Sequence, residues 1–327
     1  MKKKHRVLKI VLRSLLCVFT AVLMIGAGAL GGLAVLTLGP SPTARDLFVV
    51  SMTETSMGTV FAKIFFSDEE IAAIKEANSV GPTDEDVDIS LVNVVEDKDV
   101  EPIVIEEVSG SSFKGKVMLV ADPSRVKVAV RGEFSASVRG KTVEELVKDY
   151  GAVAGVNAGM FYDPDGMGTG GLPVGLVISD GKILYGSANK TYEIIGFDKN
   201  NVFYTGNKTG QEALDMGIRD AVCFGPALVV NGEPIAVKGL GSGLNPRSAI
   251  GQRADGTVII LVLEGRKASS LGATLNDVIS IMMQYGAVNA ANLDGGMSST
   301  LYYNGEYIVD SCAFGKPRGI PDAFIVM

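Results

Sequence analysis

The amino-terminal forty residues constrain this chain more than any other part of it. They consist of a basic cluster followed by a charge-free apolar run from Ser14 to Leu38. A helix rises about 1.5 Å per residue, so this run is long enough to cross the roughly 30 Å hydrocarbon core of a membrane. Because a cleavable signal peptide normally has an apolar region of only about 7–15 residues, we predict an uncleaved transmembrane anchor within residues 1–39. Cleavage near the Ala-Gly-Ala-Leu-Gly-Gly stretch is the alternative.

The charges around this run predict its orientation. Six lysines and arginines precede it, namely Lys2, Lys3, Lys4, Arg6, Lys9 and Arg13. The positive-inside rule therefore places the amino terminus in the cytoplasm and the rest of this single-pass cell-membrane protein outside. The chain carries −7 overall, so the part beyond the basic cluster carries −13. A domain this acidic is not expected to bind nucleic acid.

Histidine and cysteine usage narrows the chemistry of the predicted extracellular part. The single histidine, His5, lies before the apolar run, so neither imidazole catalysis nor histidine-ligated zinc is expected beyond it. Cys223 and Cys312 would form one disulfide or remain as two free thiols. Any reaction must therefore use carboxylates, arginines, amides and hydroxyls.

The remaining chain divides into an acidic segment and a folded domain. Residues 40–109 are predicted to be a stalk or linker, with one short helix that Ser67 and Glu70 would begin through a capping box. In residues 110–327, strand-like runs alternate with turns, and hairpins are predicted at Asp180-Gly181, Asn231-Gly232, Asp255-Gly256 and Asn304-Gly305. The predicted fold class is α+β, with largely antiparallel mixed β-sheets and a few packed helices, preceded by one transmembrane helix.

Two predicted helices of this domain are followed by similar sequences. Thr142 and Glu145 predict the start of the first helix, and Thr274 predicts the start of the second. After each helix the chain runs through a strand to an asparagine, Asn157 in one case and Asn292 in the other. We therefore predict two helix–strand–loop units that present these asparagines side by side in one cleft, with chance similarity as the alternative.

Four glycine- and charge-rich segments carry the candidate functional residues. They are Val156–Gly171, Asn245–Gly251, Leu263–Leu275 and Asn292–Ser299. In the first, Asp163-Pro164-Asp165-Gly166 resembles the start of a calcium loop, although the third ligand and the distal glutamate of an EF-hand are missing. A structural calcium ion held by Asp163 and Asp165 and a plain tight turn are the two alternatives for this loop.

Taken together, these segments resemble the phosphodiester glycosidase domain family from about Gly110 to Met327. The matching motifs contain Asn157, Gly159 and Phe161, then Arg247, then Gly265 and Arg266, and finally Asn292, Asp294, Gly295 and Gly296. The last motif, Asn-Leu-Asp-Gly-Gly, is the most specific. Met297 and Glu264 depart from the family pattern, in which a further small residue and an aspartate are common. Met297 would narrow a pocket, and Glu264 would reposition a carboxylate relative to the usual aspartate.

The resemblance implies a hydrolase that cleaves the glycosidic bond of a sugar 1-phosphodiester, and the available residue types suit that reaction. Cleavage at the anomeric carbon builds positive charge on the sugar ring and negative charge on the departing phosphate. A carboxylate near the ring and arginines near the phosphate would stabilise both charges. Phosphate is already a good leaving group, so a site without histidine is adequate and no cofactor is required.

Two acidic residues are the predicted catalytic groups. Asp294 would face the anomeric carbon, because Gly295 and Gly296 allow the backbone to approach the sugar closely; acceptance of hydrogen bonds within its own turn is the alternative. Glu264 would be the second carboxylate, acting as acid/base or orienting an arginine. Its alternative is a structural ion pair with an arginine.

Arginines and neutral side chains complete the predicted substrate site. Arg247 is the preferred phosphate ligand, Arg266 the second and Arg318 a third. The remaining candidates are Asn157 and Asn292 for sugar hydroxyls or an acetamido group, Ser298 for the phosphate, and Phe161 as an apolar wall for the ring. Loop stapling by the asparagines and core packing by the phenylalanine are the alternatives.

We therefore predict an exported, membrane-tethered hydrolase that acts on glycosyl phosphodiesters of a cell-envelope or surface glycan, such as an exopolysaccharide. One alternative is a metal-dependent phosphoesterase built on Asp163, Asp165 and Asp294, which a chelator would inhibit. The other is a non-catalytic module that binds glycans or acts as a scaffold in the cell envelope.

Overall fold

The computed structural model describes residues 2–81, 85–94, 103–310 and 317–327 of the chain. The helices are α1 (Lys2–Leu38), α2 (Pro42–Thr53), α3 (Ser56–Ala62), α4 (Asp68–Ala77), α5 (Val143–Tyr150), α6 (Gly210–Asp215) and α7 (Leu275–Gln284). The strands are β1 (Ile103–Ser109), β2 (Lys114–Val120), β3 (Val126–Val130), β4 (Ala154–Asn157), β5 (Val177–Ser179), β6 (Lys182–Tyr185), β7 (Thr191–Asp198), β8 (Phe203–Thr209), β9 (Ile218–Cys223), β10 (Ala227–Val230), β11 (Glu233–Pro234), β12 (Arg247–Arg253), β13 (Val258–Leu263), β14 (Ala287–Leu293), β15 (Thr300–Tyr303), β16 (Glu306–Asp310) and β17 (Asp322–Val326).

The strands form three sheets in which every pairing between named strands is antiparallel. The largest sheet has the order β1-β2-β13-β12-β14-β10-β11, the second β16-β15-β4-β17-β3, and the third β6-β5-β9-β7-β8. Their inner faces share one apolar core, to which Met118, Val156, Ile195 and Phe324 contribute fully buried side chains. The predicted α+β class with largely antiparallel sheets is confirmed.

Helices α5 and α7 pack on two of these sheets, and their starts are set by local sequence. Thr142 and Glu145 form the predicted capping box of α5, and Thr274 forms one with Asp277 at the start of α7. Each box satisfies backbone N–H groups that the first turn of a helix cannot satisfy itself. Burial of each apolar side chain, such as Met282 on α7, then contributes about 1.5–3 kcal/mol.

The predicted hairpins are present, although one turn is longer than expected. Asp180, Asn231 and Asn304 all have positive φ, as the first central residue of a type I′ turn requires. The β12–β13 connection instead runs over residues 254–257, with Gly256 at φ 92°. The difference arises because Arg253 N bonds Thr257 O, which closes a wider loop than Asp255-Gly256 alone would form.

The first helix is compatible with the predicted anchor and with a signal sequence. Residues His5–Leu38 of α1 have a mean hydropathy of 2.3 and form the one helix, within the described residues, that is long and apolar enough to cross a membrane. Nearly all of its side chains are exposed, as expected for a surface that would face lipid rather than protein.

The segment after this helix is more ordered than the predicted stalk. Helices α2, α3 and α4 enclose a small core of their own, which contains Val49, Ala62 and Ile71, and α4 begins with the predicted Ser67–Glu70 capping box. Strand β1 also pairs along its whole length with β2, so the folded body begins before residue 110. The apolar residues of this segment suffice to pack the three helices against one another.

Candidate active site

Most of the predicted site residues line one cavity of about 280 Å³. It lies where the loops after β4, β13 and β14 meet the chain that enters β12 and β17. The sequence candidates in its wall are Phe161, Asp163, Arg247, Arg266, Asn292, Asp294, Gly295, Gly296, Ser298 and Arg318. Residues from four distant motifs therefore share one concave site.

The Asp294 carboxylate is held by the loop that follows β14. Its Oδ1 accepts a hydrogen bond from Gly295 N at 2.9 Å, and the side chain of Ser298 donates to the same carboxylate. Burial nevertheless raises the pKa of Asp294 to about 6, because desolvation disfavours the charged form more than these bonds favour it. A carboxylate with this pKa is ionised at neutral pH and is poorly solvated, which makes it an effective group for stabilising or attacking a cationic centre.

The backbone of the Asp294 loop is fixed to its neighbours. Asp294 N donates to Ala158 O at 3.0 Å, and Asn157 Nδ2 donates to Asp294 O. Asn157 is fully buried, and its Oδ1 accepts from Ser248 Oγ at 2.8 Å and from Thr300 N at 3.2 Å. Asn157 therefore holds the Asp294 loop in place through hydrogen bonds and does not line the cavity. Its predicted contact with the sugar is corrected accordingly.

Asn292 is the asparagine that reaches the cavity. Its Nδ2 donates to Gly225 O at 3.0 Å, and its Oδ1 is buried with no hydrogen-bond partner in the described part of the chain. An unpaired buried acceptor is costly unless a ligand satisfies it. The two asparagines lie on different sheets, so the predicted pair facing one cleft does not form, although both strands end beneath the same loop.

Arg266 enters the cavity from a strained turn. Its φ is 57°, a left-handed conformation that is uncommon for a residue with a side chain. Its Nε and Nη2 donate to Asn245 Oδ1 at 3.2 and 2.7 Å. Within the described residues, no carboxylate lies within 4.0 Å of this guanidinium. Burial lowers the pKa of Arg266, while the charge of Glu54 acts in the opposite direction. The guanidinium is thus paired with an amide oxygen and not directly with a carboxylate.

Gly296 permits this arginine to lie against the Asp294 loop. It has a φ of 63°, and a Cβ atom at this position would lie 3.4 Å from Arg266 Nη2. Its N–H donates to Pro246 O at 3.0 Å, which holds the loop beside the start of β12. A larger residue would be strained and would crowd the guanidinium, which explains why a glycine follows Gly295 here.

Arg247 has more hydrogen-bond partners within the protein than Arg266 has. It is the first residue of β12 and is 7% exposed. Its Nη2 donates to Glu54 Oε1 at 2.8 Å, to Ser242 Oγ at 2.9 Å and to Gly243 O at 2.8 Å. Because the Glu54 carboxylate already offsets much of its charge, Arg247 is less available than Arg266 for an added anion, contrary to the predicted order of preference.

Arg318 also lines the cavity. Its guanidinium donates to Asp163 Oδ1 and lies 4.8 Å from the ring centroid of Phe161. Cation and ring stabilise each other's placement, so Phe161 is both an apolar wall and the base on which Arg318 rests.

Glu264 is the predicted catalytic residue that the structure places elsewhere. Its carboxylate lies 3.2 Å from Lys267 Nζ, and the residue is not part of the cavity wall. The turn closed by the Lys267–Ser270 bridge follows Arg266, and its first residue, Lys267, supplies the cation with which Glu264 pairs. The predicted role as second carboxylate is therefore corrected to a local ion pair.

Sequence reasoning missed two acidic residues. Glu54, between α2 and α3, lines the cavity and binds Arg247, and nothing in its local sequence marks it. Asp322, the first residue of β17, accepts from Gly159 N at 2.7 Å, while its Oδ2 is buried without a partner in the described residues. Burial, followed by the neighbouring Asp294 charge, raises the pKa of Asp322 to about 7. The sequence signal that could have indicated a close neighbour such as Asp322 was the glycine at position 159. A Cβ atom at this position would lie only 2.9 Å from the Asp322 carboxylate.

Metal and disulfide predictions remain open. The Asp163 carboxylate accepts from Arg318 and from Gly168 N, and the side chain of Asp165 lies outside the described residues. Among the residues that the structure describes, no group of three acidic, histidine or cysteine side chains is arranged to hold a metal. Cys312 also lies outside the described residues, whereas Cys223 is buried and its thiol pKa is raised to about 12.

The fold and the cavity define an α+β domain whose pocket combines the desolvated Asp294 carboxylate with three arginines, two of which pair with other acidic residues of the wall. The sequence model of the phosphodiester glycosidase family matches residues 150–327, and the chain belongs to this family. The resemblance inferred from the Asn-Leu-Asp-Gly-Gly motif is thereby confirmed.

Individual relatives agree with this assignment. The chain is 32% identical over 201 residues to the SPbeta prophage-derived uncharacterized protein YomE of Bacillus subtilis (strain 168), covering 57% of this chain and 29% of that one. It is 27% identical over 232 residues to N-acetylglucosamine-1-phosphodiester alpha-N-acetylglucosaminidase of Mus musculus, covering 64% of this chain and 44% of the mouse enzyme. The matches thus span less than half the length of these relatives.

A solved structure has the same fold. The catalytic domain of zebrafish N-acetylglucosamine-1-phosphodiester alpha-N-acetylglucosaminidase, a structure of the form auto-inhibited by pro-peptide, superposes with a TM-score of 0.59 at 21% identity. The superposition covers 71% of this chain and 86% of the zebrafish chain.

Proposed function

We propose that this protein is a membrane-tethered hydrolase that cleaves the glycosidic bond of a sugar 1-phosphodiester. The observation that carries the proposal is the shared cavity in which the Asp294 carboxylate faces the same space as Arg247, Arg266 and Arg318. Membership of the phosphodiester glycosidase family supports the reaction class, and the apolar helix α1 supports the tether.

The proposed reaction breaks the bond between the anomeric carbon and the bridging oxygen. The electron pair of that bond leaves with the phosphate, and water adds to the anomeric carbon to give a free sugar and a phosphate monoester. Asp294 stabilises the cationic ring or attacks it, as carboxylates do in glycoside hydrolysis. One proton of the water remains on the sugar hydroxyl, and the other passes to the phosphate or to solvent.

The proposed phosphate ligands are Arg266 and Arg318, with Arg247 behind them. Arg266 has no carboxylate within 4.0 Å among the described residues, so a phosphate would supply its missing counter-charge. The Asn292 Oδ1, which lacks a partner in the described residues, would accept a hydrogen bond from a sugar hydroxyl or an acetamido N–H. The name of the mouse relative makes N-acetylglucosamine the first sugar to test.

The proposed location is outside the cytoplasm, on a single-pass anchor. The basic residues before α1 and the acidic remainder of the chain support that orientation, and a cell-envelope glycan is the substrate class such a position would reach.

The experiment that tests the proposal is turnover by the Asp294→Asn variant. The full chain is incubated with a panel of sugar 1-phosphodiesters that begins with N-acetylglucosamine 1-phosphate esters, and free sugar is quantified. We expect Asp294→Asn to lower kcat/KM by about a thousandfold while substrate binding persists. Asp255→Asn, in the exposed β12–β13 turn, is the matched control. Unchanged turnover by Asp294→Asn would refute the assignment, and loss of activity in excess chelator would favour the phosphoesterase alternative.

A further inference from the structure

A second, apolar groove adjoins the candidate active site. It has a volume of about 710 Å³, and its walls include Leu47 and Phe48 of α2 together with Leu271. Thr55, Asn245 and Arg266 line both this groove and the active-site cavity, so the two spaces adjoin at these residues. A ligand with a polar end and an apolar end could therefore occupy both at once.

The groove also reaches the helix that is long enough to cross a membrane. Leu36, two residues before the end of α1, forms part of its wall. The groove thus runs from the end of the apolar helix, along α2, to the cavity. An apolar chain leaving a bilayer at the end of α1 would enter this groove without crossing water.

The helix beside the cavity presents apolar side chains outward. Thr55 caps α3 and lines both spaces, and α3 exposes Met57 and Val60 at 84% and 68%. Ile64, directly after the helix, is 68% exposed. Exposed apolar groups in such a cluster are typical of a membrane or partner contact. In the chain, only helix α2 separates this cluster from the apolar helix α1.

The charge at the junction selects the polar part of the ligand. Arg266 is the one charged residue among the three that line both the groove and the cavity, and among the described residues its guanidinium has an amide partner but no carboxylate within 4.0 Å. A phosphate at this point would pair with Arg266, with the sugar on the Asp294 side and the hydrocarbon on the Leu271 side.

We propose that the groove binds the hydrocarbon of a lipid-linked substrate, namely a sugar 1-phosphate esterified to a single long-chain alcohol. This inference rests on the proposed function, and it names the substrate class for that same site. A single chain is favoured because the groove meets the cavity at one place, around Arg266, from which one chain would lead away. The reaction balances as before: water adds to the anomeric carbon, the anomeric C–O bond breaks, and the products are the free sugar and a long-chain alkyl phosphate monoester.

The test compares two esters of one sugar phosphate. The full chain in detergent micelles is given N-acetylglucosamine 1-phosphate esterified either with phytanol or with methanol. We expect kcat/KM to be at least about tenfold higher for the phytanyl ester. A Leu47→Gln/Leu271→Gln double variant should lower the ratio of the two kcat/KM values by about tenfold. Leu184→Gln, which alters a similarly exposed leucine on β6, should leave that ratio unchanged.

Binding of the product lipid gives a readout that does not depend on turnover. Phytanyl phosphate should bind the full chain more tightly than methyl phosphate does, and the double groove variant should lose this preference. A diacylglycerol ester cleaved in preference to the phytanyl ester would overturn the single-chain assignment.

The outcomes separate this inference from the proposed function. Cleavage of both esters at equal rates, unaffected by the groove variant, would overturn the lipid site and leave the hydrolase intact. Selective binding of phytanyl phosphate with cleavage of neither ester would support the lipid site and overturn the hydrolase.

Discussion

The Glu54 carboxylate lies 2.8 Å from Arg247 Nη2, although 193 residues separate the two in sequence. Glu54 also accepts from Gly243 N at 2.9 Å and from Asn245 Nδ2 at 2.6 Å. Glu54 thus helps to fasten the segment that follows the apolar helix to the cavity, and Ser51 adds a second link because its Oγ accepts from Leu244 N at 2.9 Å. Glu54 also neutralises an arginine which the substrate phosphate would otherwise meet.

Neutralising Glu54 should therefore strengthen phosphate binding. In Glu54→Gln the amide oxygen can still accept from Arg247, but the full positive charge of the arginine becomes available to the substrate. We expect KM for a glycosyl phosphodiester to fall several-fold with little change in kcat, measured by steady-state kinetics. Glu69→Gln, on exposed α4, is the control. A fall in kcat of about a hundredfold would instead identify Glu54 as the second catalytic carboxylate.

Replacing Arg266 with lysine should weaken the site through geometry and not through loss of charge. Lysine keeps the charge but lacks the planar fork that contacts two phosphate oxygens. We expect Arg266→Lys to lower kcat/KM roughly 10–100-fold, and thermal unfolding will show whether the fold is retained. Arg139→Lys changes an exposed arginine and should have no effect on either measurement. Wild-type kinetics in Arg266→Lys would contradict the assigned role.

The pH dependence of catalysis should report Asp294. Because burial raises its pKa to about 6, the reactive ionised form is lost as pH falls below that value. We expect kcat/KM to decline about tenfold per pH unit on the acid side of pH 6, measured in full pH profiles. An acid limb near pH 4, the value of an ordinary aspartate, would show that Asp294 is not the ionising group.

Asp322 should make the folded state less stable as pH rises. Its folded-state pKa, about 7, lies above the ordinary value of 3.8, so the protonated form is favoured by folding. The associated stability is fully present below pH 3.8 and is lost as pH rises through about 7. Asp322→Asn, which keeps an acceptor for Gly159 N, should therefore raise the free energy of unfolding at pH 8 by at most about 4 kcal/mol.

The same variant should differ little from the wild type near pH 4, where Asp322 is largely protonated. Denaturant unfolding at both pH values measures the difference. Asp255→Asn, in an exposed turn, should show no such dependence. An equal effect of Asp322→Asn at pH 4 and pH 8 would show that the carboxyl is not titrating in this range.

Local sequence signals predicted the capped helix starts, the hairpins and the Asp294 loop. Long-range geometry accounts for the residues that these signals misplaced or missed. The capping residues Thr142 and Thr274 act within one turn of helix, so sequence sufficed to locate both helix starts. Glu264 was misplaced because its partner, Lys267, lies in a turn that the sequence did not reveal. Glu54 was missed because its partner is remote and no periodic pattern marks it.

The fate of Asn157 illustrates the same limit. Its motif placed it near the cavity correctly, but the direction of its amide depends on Ser248 and Thr300, which belong to other strands. Sequence could indicate that an asparagine was needed at this position. It could not indicate whether the asparagine would hold the substrate or the loop that carries Asp294.

The position of bond cleavage tests the central claim most directly. The full chain is allowed to hydrolyse a glycosyl phosphodiester in water labelled with heavy oxygen, and the label is located in the products by mass spectrometry. Attack at the anomeric carbon beside Asp294 predicts that the label appears in the free sugar, and that the phosphate monoester is unlabelled. Label in the phosphate monoester would show attack at phosphorus and would contradict the glycosidase assignment.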